Sequence, residues 1–182
     1  MSTGILIVIA VAVVLVLIIV ATGLRLTMRR RHLRERFGPE YERAVESGDS
    51  RLAAERELSE REAEHDALEI KPLSGTAHDR YAQDWMRVQE EFVDRPDRAV
   101  DDADRLVTRL MSERGYPTDD FDQQLRHLSV EHGQTLQHYR AAHEITTRSD
   151  REEASTEELR SAMVHYRALF DELLEAGGGR RA

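Results

Sequence analysis

Apolar and polar positions divide this chain into one unbroken apolar run and a long, mostly polar remainder. From Gly4 to Leu24 the sequence GILIVIAVAVVLVLIIVATGL contains no charged side chain. At ~1.5 Å per residue a helix of that length spans roughly 32 Å, the thickness of a bilayer's hydrocarbon core. A helix satisfies its backbone amides internally, so lipid tolerates it. A cleaved signal peptide needs a positive start, a shorter apolar run and a small-residue site. Here Met1 to Thr3 bear no side-chain charge and the run is long, so a retained anchor is expected, although Ala21-Thr22-Gly23 imitates a cleavage site.

Beyond the run the pattern becomes helical. Leu26, Leu33 and Phe37 recur among arginines, which predicts that the anchor helix continues past Arg36 until Gly38-Pro39 stops it. Residues 50–69, SRLAAERELSEREAEHDALE, form helix readily but offer mainly alanine as an apolar stripe, so they read as a stalk. Lys71-Pro72-Leu73-Ser74-Gly75 breaks that stretch. After it, Ala77, Tyr81, Trp85, Val88 and Phe92 fall on a single helical face. Ala99, Val100, Ala103, Leu106, Val107, Leu110 and Met111 mark the next helix, closed by Gly115 and Pro117. Phe121, Leu125 and Leu128 predict a shorter helix, with an interruption at Ser129 to Gly133. Leu136, Tyr139 and Ala142 predict a helix over 134–147. Ser155 and Glu158 form a capping box ahead of Leu159, Met163, Tyr166, Phe170 and Leu173. No alternating strand pattern and no repeat of 20–50 residues is visible.

The fold class expected is all-α: one transmembrane helix, a helical stalk and a four- to five-helix bundle. The divisions expected are a short N-terminus (1–3), the span (4–24), a basic juxtamembrane segment (25–38), the stalk (39–72), the bundle (73–176) and a disordered tail (177–182).

Charge then sets orientation. Arg25, Arg29, Arg30, Arg31, Arg34 and Arg36 stand against Glu35 alone, a net of +5 over residues 25–36. The positive-inside rule places the N-terminus outside and the bundle in the cytoplasm of a single-pass cell-membrane protein. The same six arginines are the expected contact with the membrane surface, at ~1 kcal/mol per basic group near anionic lipid. The whole chain carries −9, so residues 37–182 carry −14, a balance that argues against nucleic-acid binding. There is no cysteine, which excludes disulfides and thiolate chemistry. The one lysine, Lys71, has no glycine-rich loop beside it, so no P-loop is present.

The segments Trp85 to Pro117, Leu128-Ser129-Val130, His138-Tyr139-Arg140-Ala141-Ala142-His143 and Met163 to Phe170 resemble the signatures of an uncharacterised family of bacterial proteins. The likeness covers residues 34–174. It implies a membrane-anchored helical protein without an established activity, and so carries over no functional residue.

Candidate chemistry is sparse. His127, His132, His138 and His143 lie at gaps of 5, 6 and 5, whereas two metal ligands on one helix want spacings of three or four. Convergence across Gly133 would make the His127–His143 segment a metal- or pH-responsive sensor, the alternative function. Glu62-x-x-His65 is half of a di-iron bundle motif without its second half. Asp101-Asp102 and Asp119-Asp120 read as charges at helix starts. Arg114-Gly115-Tyr116-Pro117 reads as a tight connection, with Arg114 and an exposed Tyr116 as a possible partner contact. No cofactor, catalytic residue or metal site is expected. The function expected is a non-enzymatic, membrane-tethered module that binds membrane lipid and another protein.

Overall fold

The structure, a computed structural model, describes residues 3–176, with side chains from Val11 onward. Residues 1–2 of the short N-terminus and the tail expected at 177–182 lie outside the described residues. Among the described residues there are eight helices and no strand, so the fold is all-α. Helix α1 (Thr3–Phe37) includes a segment long and apolar enough to cross a membrane. Its apolar side chains from Val13 to Val20 are all exposed among the described residues.

Packing divides the chain into two compact units, one ending at Leu58 and the other starting at Ser59. In the first unit, Gly38 adopts a positive φ of 53° and Pro39 opens α2 (Pro39–Ser47), as the Gly-Pro pair predicts. Leu33, Phe37, Tyr41, Ala54 and Leu58 are buried. Residues 39–58, within the stretch expected as a stalk, therefore pack into this unit. Helix α3 (Arg51–Asp66) buries Ala54, Glu55 and Leu58, and the division falls inside it, not at residue 72.

In the second unit the helices follow the apolar stripes. Helix α4 (Gly75–Glu91) starts at Ser74, whose hydroxyl accepts from the Ala77 amide at 3.1 Å. Helix α5 (Pro96–Arg114) ends on Gly115. Helix α6 (Phe121–Glu131) is capped by Asp120, which accepts from the Gln123 amide at 2.8 Å. The helix runs through Ser129 and Val130, both buried, so the interruption expected there is confined to the residues that follow. Asp101 and Asp102 lie in the second turn of α5, not at its start, because Pro96 already occupies the first turn.

Helices α7 (Leu136–Ser149) and α8 (Thr156–Glu175) form an antiparallel hairpin, pairing Arg148 with Glu158 at one end and His138 with His165 further along. Both bonds of the expected capping box are present. The Ser155 hydroxyl and amide hold the Glu158 carboxyl down at about 2. Helix α8 packs against α7 and α5, and α4 packs on α5. Trp85 stacks on Phe170 with ring centroids 4.7 Å apart, inside a core that also takes Leu106, Leu110, Leu128, Tyr139 and Leu173.

Gly115 is required twice over. Its φ is +99°, and a Cβ there would stand 2.5 Å from the Glu69 carbonyl oxygen. That approach exists because the Lys71 amide donates to the Arg114 carbonyl at 2.8 Å, drawing residues 69–71 against the end of α5. Gly115→Ala should cost at least about 1–3 kcal/mol, from backbone strain alone. Trp85→Ala should cost ~3–5 kcal/mol, the range for emptying a large aromatic site. Urea denaturation of the full chain in detergent micelles, followed by circular dichroism, measures both. A loss below about 1 kcal/mol for Trp85→Ala would contradict its place in the core.

Candidate functional site

The side chains of α4 and α8 leave a groove between them of about 210 Å³, lined by Trp85, Gln89, Phe92, Met163 and Val164 and rimmed by Arg160 and Arg167. Two sequence features make it. The Trp85 stripe of α4 and the Met163 stripe of α8 turn toward the core and meet at their edges, while Val164, one position out of phase, is left 65% exposed on the wall. Arg167 reaches across to Gln89 Oε1 at 3.3 Å. Trp85 is only 3% exposed, yet its Nε1–H has no acceptor among the described residues. Buried indole N–H groups normally find a partner. The groove thus combines apolar surface and two cations. Arg160 is paired with Glu157, and Arg167 with Asp171 at 3.0 Å, both in exposed pairs on one helix. Such pairs are weak and exchange readily.

Arg114 and Tyr116 are not at a surface, which corrects the expectation of a partner contact. Arg114 is 4% exposed and Tyr116 is 3% exposed. Arg114 Nη1 donates to the Leu173 carbonyl at 3.0 Å, closing the end of α8. The Tyr116 hydroxyl lies 3.0 Å from His132 Nε2 and 3.3 Å from Glu131 Oε2. On its other side, His132 Nδ1 donates to Glu172 Oε1 at 2.7 Å, and Thr135 donates to the other oxygen of that carboxylate at 2.5 Å. Burial raises the Tyr116 hydroxyl, with Glu131 adding to it. Burial also works to raise the Glu172 carboxyl, but the bonds from His132 and Thr135 outweigh it and leave the group below its usual range. Glycine and proline around Tyr116 suggested a turn to the eye and hid a buried anchor.

The four histidines of the 127–143 segment do not converge. His132 belongs to the network just described. His127 lies near buried His65, ring centroids 6.4 Å apart, and His65 in turn stands 6.0 Å from the Tyr116 ring and 3.5 Å from Glu131. His143 stacks on Phe121 at 3.7 Å. His138 leaves the segment altogether and faces His165 of α8, Nδ1 to Nδ1 at 2.9 Å. Among the described residues no group of three or more His, Asp or Glu side chains could hold a metal ion. The signal that would have located the last pair is a repeated tetrad, His138-Tyr139-Arg140-Ala141 and His165-Tyr166-Arg167-Ala168, too short to register as a structural repeat.

The basic segment is used partly within its own unit. Arg30 Nε pairs with buried Glu55 Oε1 at 3.0 Å, and Arg29 donates to the Glu55 carbonyl at 3.1 Å. Arg31 pairs with Glu35 at 2.8 Å and Arg34 with Glu42 at 2.9 Å. Arg25 is exposed, and Arg36 is half-buried. No family model, no curated protein and no solved structure matches the chain.

His127 gives the bundle a pH dependence. Burial holds it below its ordinary 6.5, with His65 and Arg126 adding to that and Glu64 opposing it. The unfolded chain then binds more protons than the folded one below 6.5. Its contribution to stability is complete above 6.5 and is lost as pH falls toward the folded value. Thermal melts of the full chain should give a lower Tm at about pH 5.5 than at about pH 7.5, and His127→Gln should narrow that difference. An unchanged difference in the variant would assign the slope to other groups.

Proposed function

We propose that this protein is a non-enzymatic, membrane-tethered binding module whose α4/α8 groove docks a segment of another membrane protein. The groove carries the reading, because its composition of Trp, Phe, Met and Arg is that of binding hot spots. The occupant is an amphipathic segment with a bulky apolar side chain over Trp85 and Met163. It supplies carboxylates to Arg160 and Arg167, displacing their pairs on α8.

Tethering supports this use of a shallow site. An anchor confines the groove to a thin layer at the membrane and raises its effective concentration toward proteins in the same bilayer without adding a contact. The arginines following the apolar part of α1 favour a cytoplasmic bundle and an external N-terminus. Arg25, Arg29, Arg30, Arg31, Arg34 and Arg36 form the collar at the lipid headgroups, those with internal partners sharing their charge between carboxylate and lipid.

Two measurements test the proposal. A photocrosslinker at position 164, in membranes, should give a discrete adduct that Arg160→Glu with Arg167→Glu abolishes, while a crosslinker at exposed position 144 gives none. In a deletion strain with a measurable defect, full-length protein should restore function, and a version lacking residues 1–24 should not at matched abundance. Full rescue by the untethered form would overturn the tethering argument, and an adduct indifferent to both arginines would overturn the groove.

A further inference from the structure

The two His-Tyr-Arg-Ala tetrads meet across the α7/α8 hairpin, and each tyrosine fixes the position of the histidine before it. The Tyr139 hydroxyl donates to Gln124 Oε1 at 2.5 Å, and the Tyr166 hydroxyl donates to Asp104 Oδ1 at 2.9 Å. Their rings contact edge to face, with centroids 6.1 Å apart. Buried tyrosines held in this way set the register of the two helices. The histidines one residue earlier are thereby brought to the outer face of the hairpin, His138 exposed and His165 half-buried, with rings stacked 5.1 Å apart.

We propose that His138 and His165 form a two-histidine site for a divalent transition metal, with copper(II) preferred over nickel(II) and zinc(II). The affinity order for nitrogen ligands carries the choice of metal, and the nitrogen separation is compatible with it. Imidazole binds such ions at ~2.0–2.1 Å, so two nitrogens 2.9 Å apart subtend an angle of about 90° at the ion. That is the angle between neighbouring ligands in square-planar or tetragonal coordination, the geometry of copper(II) and nickel(II). Copper also stands highest in the affinity series for nitrogen ligands.

The second ring nitrogen of His165 supports the assignment. Its Nε2 lies 3.3 Å from Ser161 Oγ, one turn earlier on α8. With the Nε2–H donated to that hydroxyl, Nδ1 carries the lone pair and points at His138, as a ligand histidine fixed by an outer partner does. Without metal, His138 donates its Nδ1–H to His165 Nδ1. Metal binding moves that proton to His138 Nε2, so two lone pairs face one ion and no net proton is released from the neutral pair. Water completes the coordination. The site is open, on the hairpin and not in the α4/α8 groove, so its failure and that of the docking reading are separable.

The test uses untagged full-length protein in detergent micelles, titrated with copper(II), nickel(II) and zinc(II) separately. One equivalent of copper(II) should bind, with an electron paramagnetic resonance spectrum showing coupling to imidazole nitrogen, and should raise the Tm. His138→Ala and His165→Ala should each weaken copper binding at least tenfold and remove the Tm increase, while His78→Ala on α4 should leave both unchanged. His165→Gln serves as a second variant should His165→Ala fold poorly. Equal copper affinity in wild type and in the His138 and His165 variants would overturn the site. Zinc(II) binding as tightly as copper(II) would overturn the assignment of the metal.

Discussion

The hydroxyl of Tyr166 ties three helices of the bundle at one buried point. The residue is fully buried on α8; its hydroxyl donates to Asp104 of α5 at 2.9 Å and lies 2.8 Å from the Thr146 hydroxyl of α7. A polar group taken that deep from water is tolerated only with its partners in place. Each partner belongs to a different helix, so the requirement fixes the rotation and register of α8 against both neighbours. Burial, with Asp104 beside it, pushes the phenol far above its ordinary range, so it remains a hydroxyl donor at any physiological pH. Apolar contacts from Leu159 to Leu173 supply the bulk of the attraction, but they are non-directional. The hydroxyl selects among packings that those contacts alone would allow.

The first unit meets a comparable demand with charge. Glu55 is buried, accepts from the Tyr41 hydroxyl at 2.9 Å and pairs with Arg30 at 3.0 Å. A buried carboxylate without such partners would be costly, and with them it ties α3 to α2 and to the basic end of α1. The arginines that a positive-inside argument counts as a membrane collar are thus also structural residues of this unit. The two roles are compatible, because a guanidinium presents five donors and can share them.

The functions proposed for this protein rest on what the fold leaves unmet. The interior buries Arg114, Tyr116 and His132 and gives each a hydrogen-bond partner, which withholds them from contact with another protein. At the α4/α8 groove Val164 remains without cover among the described residues. On the α7/α8 hairpin two imidazole nitrogens face each other closer than neutral lone pairs tolerate without a proton or a cation between them. Both sites lie on α8, at positions adjacent to residues committed to the core, where the helical period turns a side chain just past the boundary.

The sequence by itself determined the helices, because the apolar period, the caps at Ser74, Asp120 and Ser155 and the stops at Gly38 and Gly115 are local signals. It also determined the apolar segment of α1, which needs only length and the absence of charge. Burial of Arg114 and Tyr116 was not legible, since it depends on residues 69–71 folding back onto the end of α5 from more than forty positions earlier. Nor was the dispersal of the histidines. Spacings of 5, 6 and 5 state that no single helix face collects them, but only the packing of α6, α7 and α8 decides which distant side chain each one meets. Local periodicity is written in neighbouring residues, whereas a site is made where helices far apart in the chain are pressed together by a shared core.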